Sequence, residues 1–212
     1  MAQSQNQRLR RLAEKAARRK AVVAVKRKAE APMSGASDVT RIIEAADAGE
    51  LACQVTDNLF DLGIGWMVAA RHLPSGAVGA SFFLVDVWCL GIKDAFFRVL
   101  PKRKFEEHVN TMSGEYRLVP INPADARKLL QDAAEYAASF GLMPSENFTN
   151  TQLIFGDTPL GEGTFTFGKD GKPFYMSGPN DSPPRRRRIM DTLARHAGPQ
   201  NFDFMVEVDG LV

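Results

Sequence analysis

Cysteine and histidine are scarce in this sequence, and their scarcity excludes several kinds of site. Only two cysteines, Cys53 and Cys89, and three histidines occur in 212 residues. Two cysteines form neither a disulfide framework nor a CxxC metal site. The histidines have no mutual spacing typical of metal ligands, and the sequence contains no GxGxxG loop, Walker loop or nucleophilic serine motif. We therefore assign no metal ligands and no cofactor, and leave enzyme activity undecided.

Long apolar runs are also missing. The longest, Ala80 to Val87, is interrupted by Ser81 and Asp86 and falls far short of the roughly 18 residues that a membrane-spanning helix needs. The N-terminal region lacks the apolar stretch of about 7–15 residues that marks a secretory signal. The sequence therefore predicts a cytoplasmic protein with reduced thiols and no membrane partner.

Charge is distributed unevenly along the chain. The formal net charge is +2, but residues 1–30 hold ten Lys and Arg against two Glu, which gives +8 there and −6 over the remainder. Residues 29–38 contain Pro32, Gly35 and two serines, a composition typical of a linker. We predict a flexible or partly helical basic arm and linker over 1–37, and a single domain over 38–212.

The pattern of apolar and turn residues predicts an α+β domain, with antiparallel hairpins packed against about four helices. The clearest hairpin joins strands 66–71 and 79–87 across Pro74-Ser75-Gly76, and Asp170-Gly171 predicts another between 164–167 and 173–176. Further strands are expected over 151–155 and 202–208. Helices are expected over 38–48, 92–100, 123–140 and 183–197, with a further helical segment in 55–62. The start of the 123–140 helix is marked by Asn122 as N-cap and Pro123 as first helical residue.

Asp86 is the most informative acidic residue, because a carboxylate in an apolar strand is costly to bury without a partner. Arg71, Lys93 or a metal ion are candidate partners, and capping of the next element is the structural alternative. Asp94 and Asp157 are expected near strand ends, so the three acids are candidate catalytic residues around a divalent cation.

A run of four arginines, Arg185 to Arg188, opens the last predicted helix after Ser182 and Pro183. Ser182 is a typical N-cap and Pro183 a typical first helical residue. Arg186 falls on the apolar stripe and therefore needs an acidic partner, for which Asp181 is nearest, or a bound anion. A solvated, merely structural helix start is the alternative.

The arginine run and the basic arm favour the same class of partner. Lys and Arg at this density neutralise phosphates and give a salt-dependent affinity that is independent of sequence. The arm contains no aromatic residue, so it has nothing on which bases stack. The candidate polyanion-binding residues are Arg10, Arg11, Arg18, Arg19, Lys20, Arg185 and Arg186.

Three segments resemble a family of uncharacterised bacterial proteins. They are residues 53–65, 83–94 and 167–179; the last two contain the patterns L-V-D-x-x-C-L-G-x-K-D and G-K-P-x-x-x-x-G-P. The resemblance spans about residues 50–207. It implies a bacterial cytoplasmic setting and directs attention to Asp86–Asp94, but implies no activity and no functional residues.

The leading hypothesis from the sequence is a non-enzymatic protein that associates with nucleic acid through its basic arm. A divalent-metal-dependent hydrolase or nuclease using Asp86 and Asp94 is the first alternative, and a protein-interaction module is the second. The sequence contains nothing that indicates an oligomeric state.

Overall fold

The computed structural model describes residues 49–113, 117–178 and 181–206, together with Glu14 and Val39. The α+β class is confirmed. Five strands form an antiparallel sheet in the order β4-β3-β2-β1-β5, and β6 and β7 form a separate parallel pair. The strands are β1 Ala52–Thr56, β2 Ile64–His72, β3 Ala77–Asp86, β4 Gly91–Pro101, β5 Leu118–Ile121, β6 Phe174–Met176 and β7 Asp203–Met205. The helices are α1 Leu59–Leu62, α2 Lys102–Met112, α3 Pro123–Ser139, α4 Phe148–Thr151 and α5 Pro183–His196, with a 3-10 turn at Gln152–Phe155.

The predicted central hairpin is confirmed as β2 and β3. The two strands pair antiparallel with Met67 opposite Phe83. The turn between them closes through a hydrogen bond from the Leu73 N–H to the Ala77 carbonyl at 2.9 Å, and Gly76 takes a φ of 80°. That left-handed conformation is readily open to glycine and strained for most other residues. The Pro-Ser-Gly signal therefore located this turn correctly.

Strand β3 separates two apolar clusters, as its alternation predicts. Phe82 and Leu84 pack on one face with Trp66 of β2, whereas Phe83 and Val85 pack on the other with helix α3. Trp88, just beyond β3, also lies in the α3-side cluster, although continued alternation would place it on the Phe82 face. Side chains alternate between the two faces of the sheet only as far as β3 extends, to Asp86. The positions of the residues after Asp86 are set by the turn between β3 and β4.

The helix predicted over 92–100 is wrong, because this segment is strand β4. Phe96 packs in one apolar cluster while Ala95 and Phe97 pack in the other, which is the two-faced burial of a strand. Phe96 also lies opposite Phe82 with ring centroids 4.9 Å apart. Sheet pairing therefore overrides local helix propensity here. The basic residues 102–104 begin helix α2 rather than end a helix.

Three further predictions differ from the structure. Residues 151–155, expected as a strand, contain the end of α4 and a 3-10 turn, and the segment 55–62 is divided between β1 and α1. The hairpin expected around Asp170-Gly171 is reduced to an isolated bridge between Lys169 and Lys172, because β6 pairs with β7 instead. Strand β5 was not predicted.

Helix α3 is confirmed together with its start signal. The Asn122 side chain accepts a hydrogen bond from the Ala124 N–H at 2.9 Å, and Pro123 is the first helical residue. An irregular segment, residues 156–173, passes over this helix start: the Gly161 N–H donates to the Ala124 carbonyl, and the Gly163 N–H donates to Asp125 Oδ1. Both bonds fix the segment against α3.

Helix α5 follows the prediction for 183–197 closely. Ile189 and Leu193 are buried against Leu90 and Tyr175, so the helix closes the end of the sheet where β3 turns into β4. The opposite end of β4 leads into α2. At about 3.3 Å per residue, Lys93 near one end of β4 and Lys102 just beyond the other lie about 30 Å apart.

The predicted helix over 38–48 lies outside the described residues except for Val39, which is helical and buried in the α3-side cluster. The arm over 1–37 also lies outside them except for Glu14, which is helical and exposed. The domain boundary at 37 therefore stays a prediction. Within residues 49–113, 117–178 and 181–206, no helix combines the length and the apolar character that crossing a bilayer requires.

Candidate polyanion-binding surface

Asp86 is fully buried at the end of β3 and caps the following turn. Its Oδ1 atom accepts hydrogen bonds from the Trp88 N–H at 3.1 Å and the Cys89 N–H at 3.0 Å. Of its candidate partners, Arg71 donates to the Ile154 and Gly49 carbonyls, and Lys93 donates to Asp181. The Asp86 carboxylate therefore organises the turn between β3 and β4.

The structure does not bring the three candidate catalytic acids together as a metal site. Asp157 follows the 3-10 turn and is exposed, whereas Asp86 is fully buried and Asp94 lies opposite Leu84 on β4. Across the part of the chain that the structure describes, no three His, Cys, Asp or Glu side chains are grouped so that they could hold a metal ion. The described residues thus give the metal-dependent alternative no ligand set.

Asp181, just before α5, is the centre of a buried polar cluster. Only 3% of the residue is exposed. Its Oδ2 atom accepts hydrogen bonds from Lys93 Nζ at 3.2 Å, the Tyr175 hydroxyl at 3.2 Å and the Gly178 N–H at 2.8 Å. Its Oδ1 atom lies 3.1 Å from Arg185 Nε. The cluster therefore ties β4, β6 and α5 together.

The environment of Asp181 favours its charged form. Burial alone would raise the pKa of this carboxyl, but the Lys93 charge, the Gly178 N–H and the Arg185 charge outweigh burial and hold the pKa below its usual value. Burial, and then the Asp181 carboxylate, raise the pKa of Tyr175. Tyr175 is thus a neutral hydroxyl that donates to an ionised carboxylate.

Asp181 also binds the first two arginines of the run, Arg185 and Arg186. Arg185 forms the ion pair with the Asp181 carboxylate, although 55% of its side chain is exposed. Arg186 is half-buried, and its Nε donates to the Asp181 carbonyl at 2.7 Å. The expected link between Arg186 and Asp181 is present, but it goes to the backbone oxygen rather than the carboxylate. Both arginines are therefore engaged within the protein.

The backbone at the start of α5 offers little to an anion. Pro183 and Pro184 have no N–H group. The Arg185 N–H donates to Ser182 Oγ at 3.4 Å, and the Arg186 N–H makes the first helical hydrogen bond, to the Ser182 carbonyl at 2.9 Å. Ser182 is thus the N-cap that the sequence predicted. The groups that the start of α5 leaves available to an anion are therefore side chains and not backbone N–H groups.

The remaining arginines of α5 line an open groove of ≈ 380 Å³. We call this the α5 groove; its lining consists of Pro183, Pro184, Arg187, Arg188, Asp191 and Arg195. Arg187 and Arg188 are exposed, and neither makes an ion pair with any of the residues that the structure describes. Arg195 donates to the Asp191 carbonyl at 3.2 Å and to Thr192 Oγ1 at 3.3 Å. The surface thus presents three guanidinium groups and one carboxylate.

None of the three arginines that line the α5 groove was among the candidate residues named from the sequence, which on this helix were Arg185 and Arg186. Arg187 and Arg188 belong to the same run, whereas no pattern in the sequence analysis included Arg195. It lies outside the arginine run, seven residues after Arg188. Seven residues are close to two turns of helix, so the two side chains leave α5 on the same face. The signal that would have found it is this spacing, read on the predicted helix.

The second basic cluster belongs to a different surface. Arg103 and Lys104 on α2 both pair with Glu107, at 3.1 and 3.2 Å. They begin at the far end of β4, about 30 Å from the Lys93 end on which α5 is anchored. Clusters 102–104 and 185–188 therefore do not form one continuous surface. Comparison of the chain with family models, with curated proteins and with solved structures finds no match.

Proposed function

We propose that this protein is a non-enzymatic, polyanion-associated protein of the bacterial cytoplasm, which binds nucleic acid through the α5 groove and the basic arm. The observation that carries the proposal is the α5 groove itself, where Arg187, Arg188 and Arg195 share one open face. Arginine guanidinium groups on such a face match phosphate oxygens in charge and in hydrogen-bond geometry.

The arm supports the proposal through the sequence alone. Residues 1–30 carry a net charge of +8, which adds a second cationic segment for the same partner. The residues proposed to contact phosphates there are Arg10, Arg11, Arg18, Arg19 and Lys20. On the domain, the proposed contacts are Arg187, Arg188 and Arg195, with the exposed part of Arg185 beside them and with Arg186 serving mainly to hold the helix start.

The test compares two double variants of the full chain on a fluorescently labelled DNA duplex. R187A/R188A removes two charges from the α5 groove, and the matched control R103A/K104A removes two charges from α2. We expect R187A/R188A to weaken binding at least about fivefold at low salt. The slope of log K against log salt is negative, and its magnitude should fall by about 1–2. The control should stay close to wild type.

The contribution of the arm is tested separately in the full chain. Replacement of Arg10, Arg11, Arg18, Arg19 and Lys20 with Gln should lower the affinity and the magnitude of the salt slope. The melting temperature of the domain, measured by circular dichroism, should not change. Binding that is insensitive to both sets of substitutions, or to the salt concentration, would overturn the proposed function.

A further inference from the structure

We infer that the α5 groove takes the phosphate backbone of a nucleic-acid duplex rather than a single strand. This inference rests on the proposed function and specifies its ligand. Its basis is the composition of the groove lining: two prolines, three arginines and one aspartate. None of these six side chains is aromatic, so the lining that the structure describes offers no aromatic platform for an unpaired base.

Single-strand-binding surfaces combine a cationic groove with aromatic side chains on which successive bases stack. The α5 groove has only the cationic part. The aromatic residues nearest in sequence, Tyr175 and Phe202, are buried in the cluster beneath α5. The basic arm has none within residues 1–30. Phe204 on β7 is 52% exposed but does not line the groove, so neither the lining nor the arm contributes an aromatic side chain for base stacking.

A contact made by charge alone favours the ligand with the higher charge density. A DNA duplex carries one phosphate per about 1.7 Å of its axis, and each neutralised phosphate releases more condensed counterion from a duplex than from a single strand. Arg188 and Arg195 lie about 10 Å apart along α5, at about 1.5 Å per residue. Successive phosphates of one strand rise by about 3.4 Å along the axis and are farther apart along the backbone itself, so the two guanidinium groups match neighbouring phosphates of one rigid backbone.

The lining also lacks the neutral amide side chains that read base edges. Its polar groups are guanidinium groups and the Asp191 carboxylate, and Arg195 is already oriented by its bonds to Asp191 and Thr192. We assign the guanidinium groups to phosphates, and a duplex of mixed sequence averages over any guanine edge that an arginine contacts in the major groove.

The experiment measures binding of the full chain to a mixed-sequence DNA duplex of about 20 base pairs and to an unstructured strand of about 40 nucleotides, which carry nearly equal numbers of phosphates. We expect wild type to bind the duplex at least about threefold more tightly at low salt. R187A/R188A should reduce this preference, and R103A/K104A should retain it.

Equal or tighter binding of the single strand would overturn the inference while leaving the proposed function in place. A duplex preference that survives unchanged in R187A/R188A would also overturn it, because the preference would then arise elsewhere in the chain. Failure to bind either probe would overturn the proposed function, and the inference with it.

Discussion

The Asp181 carboxylate accepts a hydrogen bond from Lys93 Nζ at 3.2 Å, across 88 residues of sequence. This contact joins the start of β4 to the residue just before the N-cap of helix α5. Arg185 and Arg186 are attached to the same aspartate. Asp181 thus fixes the position of the helix that carries the candidate surface. It binds Arg185 and Arg186, whereas the arginines that line the α5 groove do not contact it.

The first prediction concerns the stability that Asp181 contributes. Asp181→Asn leaves the buried Lys93 ammonium without its anionic partner, so the free energy of unfolding should fall by about 2–4 kcal/mol. Loss of the pair with Arg185 adds little, because that side chain is 55% exposed. Urea denaturation followed by circular dichroism measures this. Asp157→Asn, which removes an exposed carboxylate, should change the stability by less than about 0.5 kcal/mol. Similar stabilities for the two variants would contradict the buried cluster.

The second prediction is the pH dependence of that contribution. The pKa of Asp181 is lowered from 3.8 in the folded protein, so its stabilising effect is complete above the unfolded-state pKa and is lost as the pH falls through the folded-state pKa. The difference in unfolding free energy between wild type and Asp181→Asn should therefore be constant above about pH 5 and shrink below about pH 4. A difference that grows on acidification would contradict the assignment.

The third prediction concerns Asp191, the carboxylate within the α5 groove. Its charge opposes an approaching phosphate, so Asp191→Asn should strengthen duplex binding by about two- to threefold at low salt, and the gain should diminish as salt screens the charge. Glu106→Gln on α2 removes the same charge from an exposed position on another surface and serves as the control. Weaker binding by Asp191→Asn, or an equal gain in Glu106→Gln, would contradict a phosphate site in this groove.

The fourth prediction tests how residues 156–173 pass over α3. A Cβ at Gly161 would lie 2.1 Å from Asp125 Oδ1 and 2.7 Å from its backbone nitrogen, whereas a Cβ at Gly163 would lie 3.0 Å from Asp125 Oδ1. Gly161→Ala should therefore lower the melting temperature clearly more than Gly163→Ala. The reverse order would show that the segment does not lie against the helix start in this way.

The fifth prediction concerns the two thiols. Burial raises the pKa of Cys53 to about 12, and Cys89 is also buried. A thiol reagent at about pH 8 should therefore label neither cysteine rapidly in the native protein and both after unfolding, because only an accessible thiolate reacts. A fast-reacting native thiol would show that one of these sites is open to solvent.

The elements that the sequence predicted correctly are those with strong local signals. The hairpin of β2 and β3 follows from Pro74-Ser75-Gly76 between apolar runs, and α3 follows from Asn122 and Pro123 at its start. In each case the turn or cap residues and the apolar pattern indicate the same structure. Agreement among local signals is what makes such segments predictable.

The elements that were predicted wrongly depend on partners distant in sequence. Residues 91–101 form a strand because β3 provides hydrogen-bonding partners and Phe82 lies opposite Phe96, which their local composition does not reveal. Residues 164–167 form no strand because β6 pairs with β7 instead. Tertiary pairing decided both outcomes.

The candidate surface likewise has features that local sequence signals predict and features that depend on residues distant in sequence. The run Arg185 to Arg188 and its Ser182 cap were evident from the sequence and are confirmed on α5. Which arginines remain available depends on Asp181, and Asp181 is held in place by Lys93 and Tyr175 from other strands. No local pattern contains that information.

Phosphate binding on α5 is tested by the salt dependence of duplex binding, measured for R187A/R188A and for R103A/K104A. We expect R187A/R188A to lose at least about fivefold in affinity and the magnitude of its salt slope to fall by about 1–2, while R103A/K104A, with the same change in charge, binds like wild type. Equal effects of the two variants would show that only net charge matters, and would contradict a phosphate-binding surface on α5.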